Sequence, residues 1–78
     1  MNFNKLQFLI KLIENRGTGT PKELSRKLNM SERMIYKYIY MLKHEFNAPI
    51  AYSRSFKSYY FSENGSLDLH WKKEKQSS

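Results

Sequence analysis

The stretch Thr20-Pro21-Lys22-Glu23 constrains this chain more than any other feature. A threonine before a proline, with a glutamate three places on, marks a helix start. The hydroxyl accepts from an orphan helical amide, the carboxylate bonds back to the cap amide, and proline sits where its missing N–H costs nothing. Leu24 and Leu28 lie one turn apart on the helix so begun. Asn29 ends it, because asparagine tolerates the left-handed conformation. After Met30, Ser31 caps the next helix, which is predicted to run from about Glu32 to Phe46. Ile35, Ile39, Leu42 and Phe46 form its buried stripe with Tyr38 alongside, and Asn47 and then Pro49 stop it. Two helices therefore meet across a turn of three residues, Asn29-Met30-Ser31.

Upstream, Leu6, Leu9, Ile10 and Ile13 recur at the spacing of an amphipathic helix, with Asn2 or Asn4 as its cap and Gly17 closing it after Arg16. Phe8 and Leu12 lie beside that stripe, serving either the core or a contact between two copies of the chain. Gly17-Thr18-Gly19 is a connector able to carry a very short strand. Beyond Pro49 the period changes: Ile50-Ala51-Tyr52 and Tyr59-Tyr60-Phe61 are β-prone runs around a basic tip, Arg54-Ser55-Phe56-Lys57. Asn64-Gly65 makes a second turn, and the alternation of Leu67-Asp68-Leu69-His70-Trp71 predicts another strand. That strand either completes the domain's own sheet or offers Leu67, Leu69 and Trp71 to a partner. The expected fold is α+β, a small winged helix-turn-helix: three helices, a β-hairpin wing and a third C-terminal strand. Residues 1–71 form one domain in this reading, and 72–78 a polar tail expected to be disordered.

Charge narrows the function. Fourteen Lys and Arg against seven Asp and Glu leave +7 on 78 residues, which favours a polyanionic partner. The mean hydropathy is −0.76, the longest apolar runs are far too short to span a bilayer, and no leader pattern is visible at the start. A soluble protein that stays where it is made is expected. No cysteine is present, so disulfides, thiolate catalysis and cysteine zinc sites are excluded. His44 and His70 fall on different elements without a carboxylate cluster, and Gly17 and Gly19 lack the Lys-Ser/Thr of a phosphate loop. Neither an enzyme, a metal nor any other cofactor is expected, and no small-molecule ligand is evident.

Placement of the charge points to double-stranded DNA. At 100° per residue, Arg33, Tyr36, Lys37, Tyr40 and His44 fall opposite the apolar stripe of the helix that begins at Ser31, with Glu32 the one acid at the edge. Arginine grips guanine in the major groove, lysine reaches guanine or phosphate, and tyrosine meets phosphates and thymine methyls. Arg33, Tyr36, Lys37 and Tyr40 are the expected readers, because such helices enter the groove by their N-terminal end, where Ser31 offers free amides to a phosphate. Thr20, Lys22 and His44 are expected on the DNA backbone, and Arg54, Phe56 and Lys57 at the wing.

The segment Glu23-Leu24-Ser25, then Met30-Ser31-Glu32-Arg33-Met34-Ile35-Tyr36-Lys37, followed by Ala48-Pro49-Ile50-Ala51-Tyr52 and Ser58-Tyr59-Tyr60-Phe61, resembles the winged helix-turn-helix domains of DeoR-like and WYL-domain bacterial transcription regulators. The biotin repressor is a more distant likeness. The resemblance implies DNA contact by Ser31, Glu32, Arg33, Tyr36 and Lys37, a regulatory role, and a cytoplasmic protein of bacterial or mobile-element origin. Ser25, Asn29, Met34 and Ser58 stand where that family often has alanine, glycine, threonine and glycine. No segment after Lys75 is expected to form the ligand-sensing domain such regulators carry. Two rival readings are a winged-helix adaptor for another protein and a non-specific nucleic-acid binder acting through charge alone. A homodimer through Phe8, Leu12, Leu67, Leu69 and Trp71 is a further expectation, since symmetric dimers extend a short reading frame.

Overall fold

A computed structural model describes residues 3–67 and 71–73. Helix α1 spans Phe3–Glu14, α2 Pro21–Leu28 and α3 Glu32–His44. Strands β1 (Ile50–Ser53) and β2 (Ser58–Phe61) form the wing, paired antiparallel from Ile50 opposite Phe61 to Ser53 opposite Ser58. The expected winged helix-turn-helix is thus present, with strand structure beyond the wing.

The helix starts follow the caps. Thr20 Oγ1 accepts from the Glu23 amide at 3.2 Å while Glu23 Oε1 accepts from the Thr20 amide at 3.0 Å. Ser31 Oγ accepts from the Met34 amide at 3.1 Å. The helix ends share one kind of closure, in which an amide reaches back five or six residues across a residue of positive φ. Gly17 bonds to Leu12, Met30 to Ser25 and Ala48 to Leu42, at 2.8–2.9 Å. The residues that turn left-handed are Arg16, Asn29 and Asn47, with φ of 54°, 52° and 56°. Gly17, expected to close α1, follows the turning residue instead of being it. Helix α3 likewise stops two residues before Phe46, because the bond from Ala48 to Leu42 closes it first.

One core serves all the elements. Leu9 and Ile13 of α1, Leu24 and Leu28 of α2, and Ile35, Tyr38, Ile39 and Leu42 of α3 are buried together with Ala48, Ile50 and Tyr59. Leu6, Ile10, Leu12 and Phe46 pack against them half-buried. Strand structure follows the wing as expected, and the segment Leu67–Trp71 touches two short strands at its ends, residues 68–70 lying outside the described residues. Strand β3 (Gly65–Leu67) pairs antiparallel with β4 (Trp71–Lys73), and Leu67 faces Trp71 across the ribbon. Alternation over five residues puts Leu67 and Trp71 on one face in either arrangement, so the pattern cannot tell a straight strand from a reversal. Pairing also reaches Lys73, two residues into the segment read as a tail. The ribbon is tied back by the Trp71 amide on the Phe46 carbonyl at 2.8 Å and by ring contact with Phe61 at 4.6 Å. Leu69 and His70 lie outside the described residues.

The connector between α1 and α2 joins the wing by side chains. The Thr18 amide donates to Ser58 Oγ at 3.0 Å, the Tyr59 amide donates to Thr18 Oγ1 at 2.9 Å, and the two hydroxyls lie 3.0 Å apart. Thr18 and Ser58 are 0% and 1% exposed. Gly19, next in the chain, has φ +74° and stands where a Cβ would lie 3.0 Å from Glu23 Cβ and Oε1, so glycine is required there. Replacing Thr18 by valine keeps the shape but leaves a buried amide without its acceptor. Thr18→Val is expected to cost about 1–3 kcal/mol, read as a lower urea midpoint at unchanged slope.

Burial, with smaller contributions from the Tyr36 and Tyr52 phenols, pushes the Tyr59 phenol up to about 12 from 10.0. A raised folded value means that the protonated phenol is favoured by the fold. Its contribution is therefore complete below about pH 10 and is lost as the pH rises towards 12. Urea midpoints should fall across that window in the parent protein and fall less steeply in Tyr59→Phe; equal slopes would contradict the assignment.

Candidate nucleic-acid interface

Burial of Ile35, Tyr38, Ile39 and Leu42 turns the opposite side of α3 outward. Ser31, Glu32, Arg33, Tyr36, Lys37, Tyr40 and His44 are all exposed there, with Tyr36 at 52% and Tyr40 at 65%. Arg33, Lys37, Tyr40 and His44 form the centre of that face by helical projection. Tyr36 lies on the flank towards the wing, near enough for its phenol to raise that of Tyr59. Tyr40 and His44, one turn apart, are in ring contact at 4.1 Å with planes 34° apart, so His44 extends the aromatic surface. At the start of α3, Ser31 satisfies the Met34 amide, which leaves the Glu32 and Arg33 amides beyond reach of any helical carbonyl.

The start of α2 is arranged differently. Its capping box uses the Thr20 and Glu23 amides, and Pro21 has none. Hydrogen bonds from Thr20, its amide first and then its side chain, hold the Glu23 carboxyl below the usual carboxylate range, with Lys27 and Lys57 adding to the effect. A carboxylate thus lies at the positive end of α2, beside the place where Thr20 and Lys22 are expected on the DNA backbone. Lys22 remains exposed beside it. The capping box was legible in the sequence; that it fills the anion position of its own helix follows from the same residues.

At the wing, Arg54, Phe56 and Lys57 are exposed on the turn between β1 and β2. Ser53 Oγ accepts from the Phe56 amide at 3.4 Å, and Lys57 turns left-handed at φ 51° before β2. The Phe56 ring meets Tyr60 edge-on at 5.3 Å, and the Arg16 guanidinium lies 5.4 Å from both ring centroids. Sequence reading missed Arg16, whose only signal is a basic residue before a glycine. Lys43, exposed on the Tyr36 flank of α3, was also passed over.

Other cations hold the protein together. Lys27 Nζ donates to the Gly17 carbonyl at 2.7 Å, and Lys5 Nζ to that of Asn29 at 3.2 Å. Of the residues expected at a contact between copies, Phe8 is 48% exposed, whereas Leu12, Leu67 and Trp71 are partly buried against the chain's own core. Leu69 is outside the described residues. Among the described residues no group of three or more His, Asp or Glu could hold a metal ion, and no helix is long and apolar enough to cross a membrane.

This arrangement can donate hydrogen bonds and positive charge from α3 and from the wing to a phosphate-lined groove, and it offers aromatic surface between them. In comparisons with known proteins, neither a curated protein nor a solved structure matched the chain. The family model for the HTH domain matches residues 4–60, from the first turn of α1 to the wing strand β2. The chain therefore belongs to the HTH domain family, whose helix-turn-helix binds DNA.

Proposed function

We propose that this protein binds double-stranded DNA in a sequence-specific way, with α3 in the major groove, and acts as a transcriptional regulator. The observation that carries this reading is the exposed face of α3. Arg33 and Lys37 stand on it beside Tyr36 and Tyr40, above a Ser31-capped start with unused amides. Arg33 is assigned to base edges and Lys37 to a base edge or phosphate, while Arg54 and Lys57 reach the flanking backbone. The likeness to DeoR-like and WYL-domain readers supports the regulatory role and a place in the cytoplasm. No constellation for catalysis is assigned; the chain is read as a binding module.

Titration against duplex and single-stranded DNA at two salt concentrations tests the reading. Arg33→Ala is expected to cost about 1–3 kcal/mol and to relax sequence preference at one position. If Lys37 reaches a phosphate, Lys37→Ala should weaken all duplexes alike and reduce the salt slope by about one. Unchanged affinity in both variants would remove α3 from the interface. Selection from a random duplex library should yield a preferred sequence, and its failure to enrich any sequence would leave binding through charge alone.

Pairing of two copies through α1 is part of the proposal. A cavity of about 590 Å³ on that side is lined by Phe8, Leu12 and Leu67, with Lys11 and Glu14 also lining it. A two-fold axis crossing α1 would set Lys11 of each copy against Glu14 of the other. Light scattering should show a dimer that Phe8→Glu dissociates; a parent protein that is monomeric at high concentration, with and without duplex, would refute the pairing.

A further inference from the structure

Two described residues other than asparagine and glycine hold a positive φ, Arg16 at 54° and Lys57 at 51°. Both are long cations, and both flank the hydroxyl joint between Thr18 and Ser58. A left-handed arginine is costlier than a left-handed glycine or asparagine, which draws attention to its side chain. That side chain does not extend into solvent alone. Its guanidinium lies 5.4 Å from the centroids of Phe56 and Tyr60, whose rings meet at 5.3 Å and 67°. Phe56 is in the wing turn and Tyr60 in β2, so one guanidinium bridges the turn to the strand that supports it.

We propose that Arg16 is the positioning residue of the wing: by lying over Phe56 and Tyr60 it fixes the turn 54–57, so that Arg54 and Lys57 meet the DNA backbone from a rigid support. This deepens the DNA-binding reading and rests on it. The planar guanidinium is essential, since an ammonium is compact, more strongly hydrated and unable to cover two rings. Phe56, expected from sequence to touch DNA, acts in this account by receiving Arg16. Ordering the turn in advance removes an entropic cost from binding without adding a contact.

The test uses Arg16→Lys, Phe56→Leu, the double variant and Phe56→Trp, each titrated with a duplex of about two helical turns. Amide exchange in the turn 54–57 and urea unfolding are followed in parallel. Each of the first two changes should weaken binding about two- to fivefold and speed exchange in the turn. The double variant should be no weaker than the worse single one, and Phe56→Trp should keep parent affinity. The salt slope should stay constant in all four, because Arg54 and Lys57 still reach the same phosphates once the turn has been ordered in the complex. Urea midpoints close to that of the parent would confirm that exchange reports the turn and not global unfolding. Parent affinity and parent exchange in Arg16→Lys would overturn the proposal while leaving DNA binding intact. Losses that multiply in the double variant would also overturn it, since Phe56 would then touch DNA independently. If the parent protein itself binds no duplex at low salt, the DNA-binding reading fails, and the role given to Arg16 falls with it.

Discussion

The hydroxyls of Thr18 and Ser58, buried 3.0 Å apart, join the helical half of the molecule to its wing. A strand between α1 and α2 would make that connection through backbone pairing. Here a threonine supplies an acceptor for the Tyr59 amide, and a serine supplies one for the Thr18 amide. Both are satisfied inside an apolar surround, where leaving either unpaired would be costly. The joint sets where β2 lies, and β2 sets β1 through a register of four pairs. Arg16, two residues before Thr18, then lies over Phe56 of the wing turn and Tyr60 of β2. The relation of the wing to the helices thus follows from two small polar side chains.

Much of this was readable from residues whose chemistry acts over three or four positions. Thr20, Pro21, Glu23, Asn29 and Ser31 place the start and end of α2 and the start of α3 without ambiguity, because each meets a specific orphan amide or dihedral. The outward face of α3 follows from its inward stripe. What was hidden depends on distance. The end of α1 is turned by Arg16 although glycine stands next to it, and Arg16 finds its purpose forty residues away, at Phe56. The pairing of β3 with β4 was concealed for another reason: a period of two puts Leu67 and Trp71 on one face whether they share a strand or face each other across a pair. The site was legible in so far as one helix carries it, and less so where the wing and the connector meet.

The same distinction sorts the positive charge. Seven excess cations suggest a polyanion, yet several basic residues serve the fold. Lys27 and Lys5 donate to the carbonyls of Gly17 and Asn29, and Arg16 covers two rings. Arg33 and Lys37 on α3, with Arg54 and Lys57 on the wing turn, are exposed to solvent. Net charge counts both groups alike; only their neighbours separate the cations that hold the protein from those that can hold something else.

These structural lysines bond to neutral carbonyls at hydrogen-bond distance, and the core they help close is apolar. Contacts of that kind are little screened by dissolved ions, whereas attraction between separated charges across water fades within about 10 Å at 0.1 M salt. Raising the ionic strength should therefore loosen the protein's grip on a polyanion long before it loosens the fold. In purification terms, a salt gradient should elute a folded protein from a nucleic-acid column and return it ready to bind again.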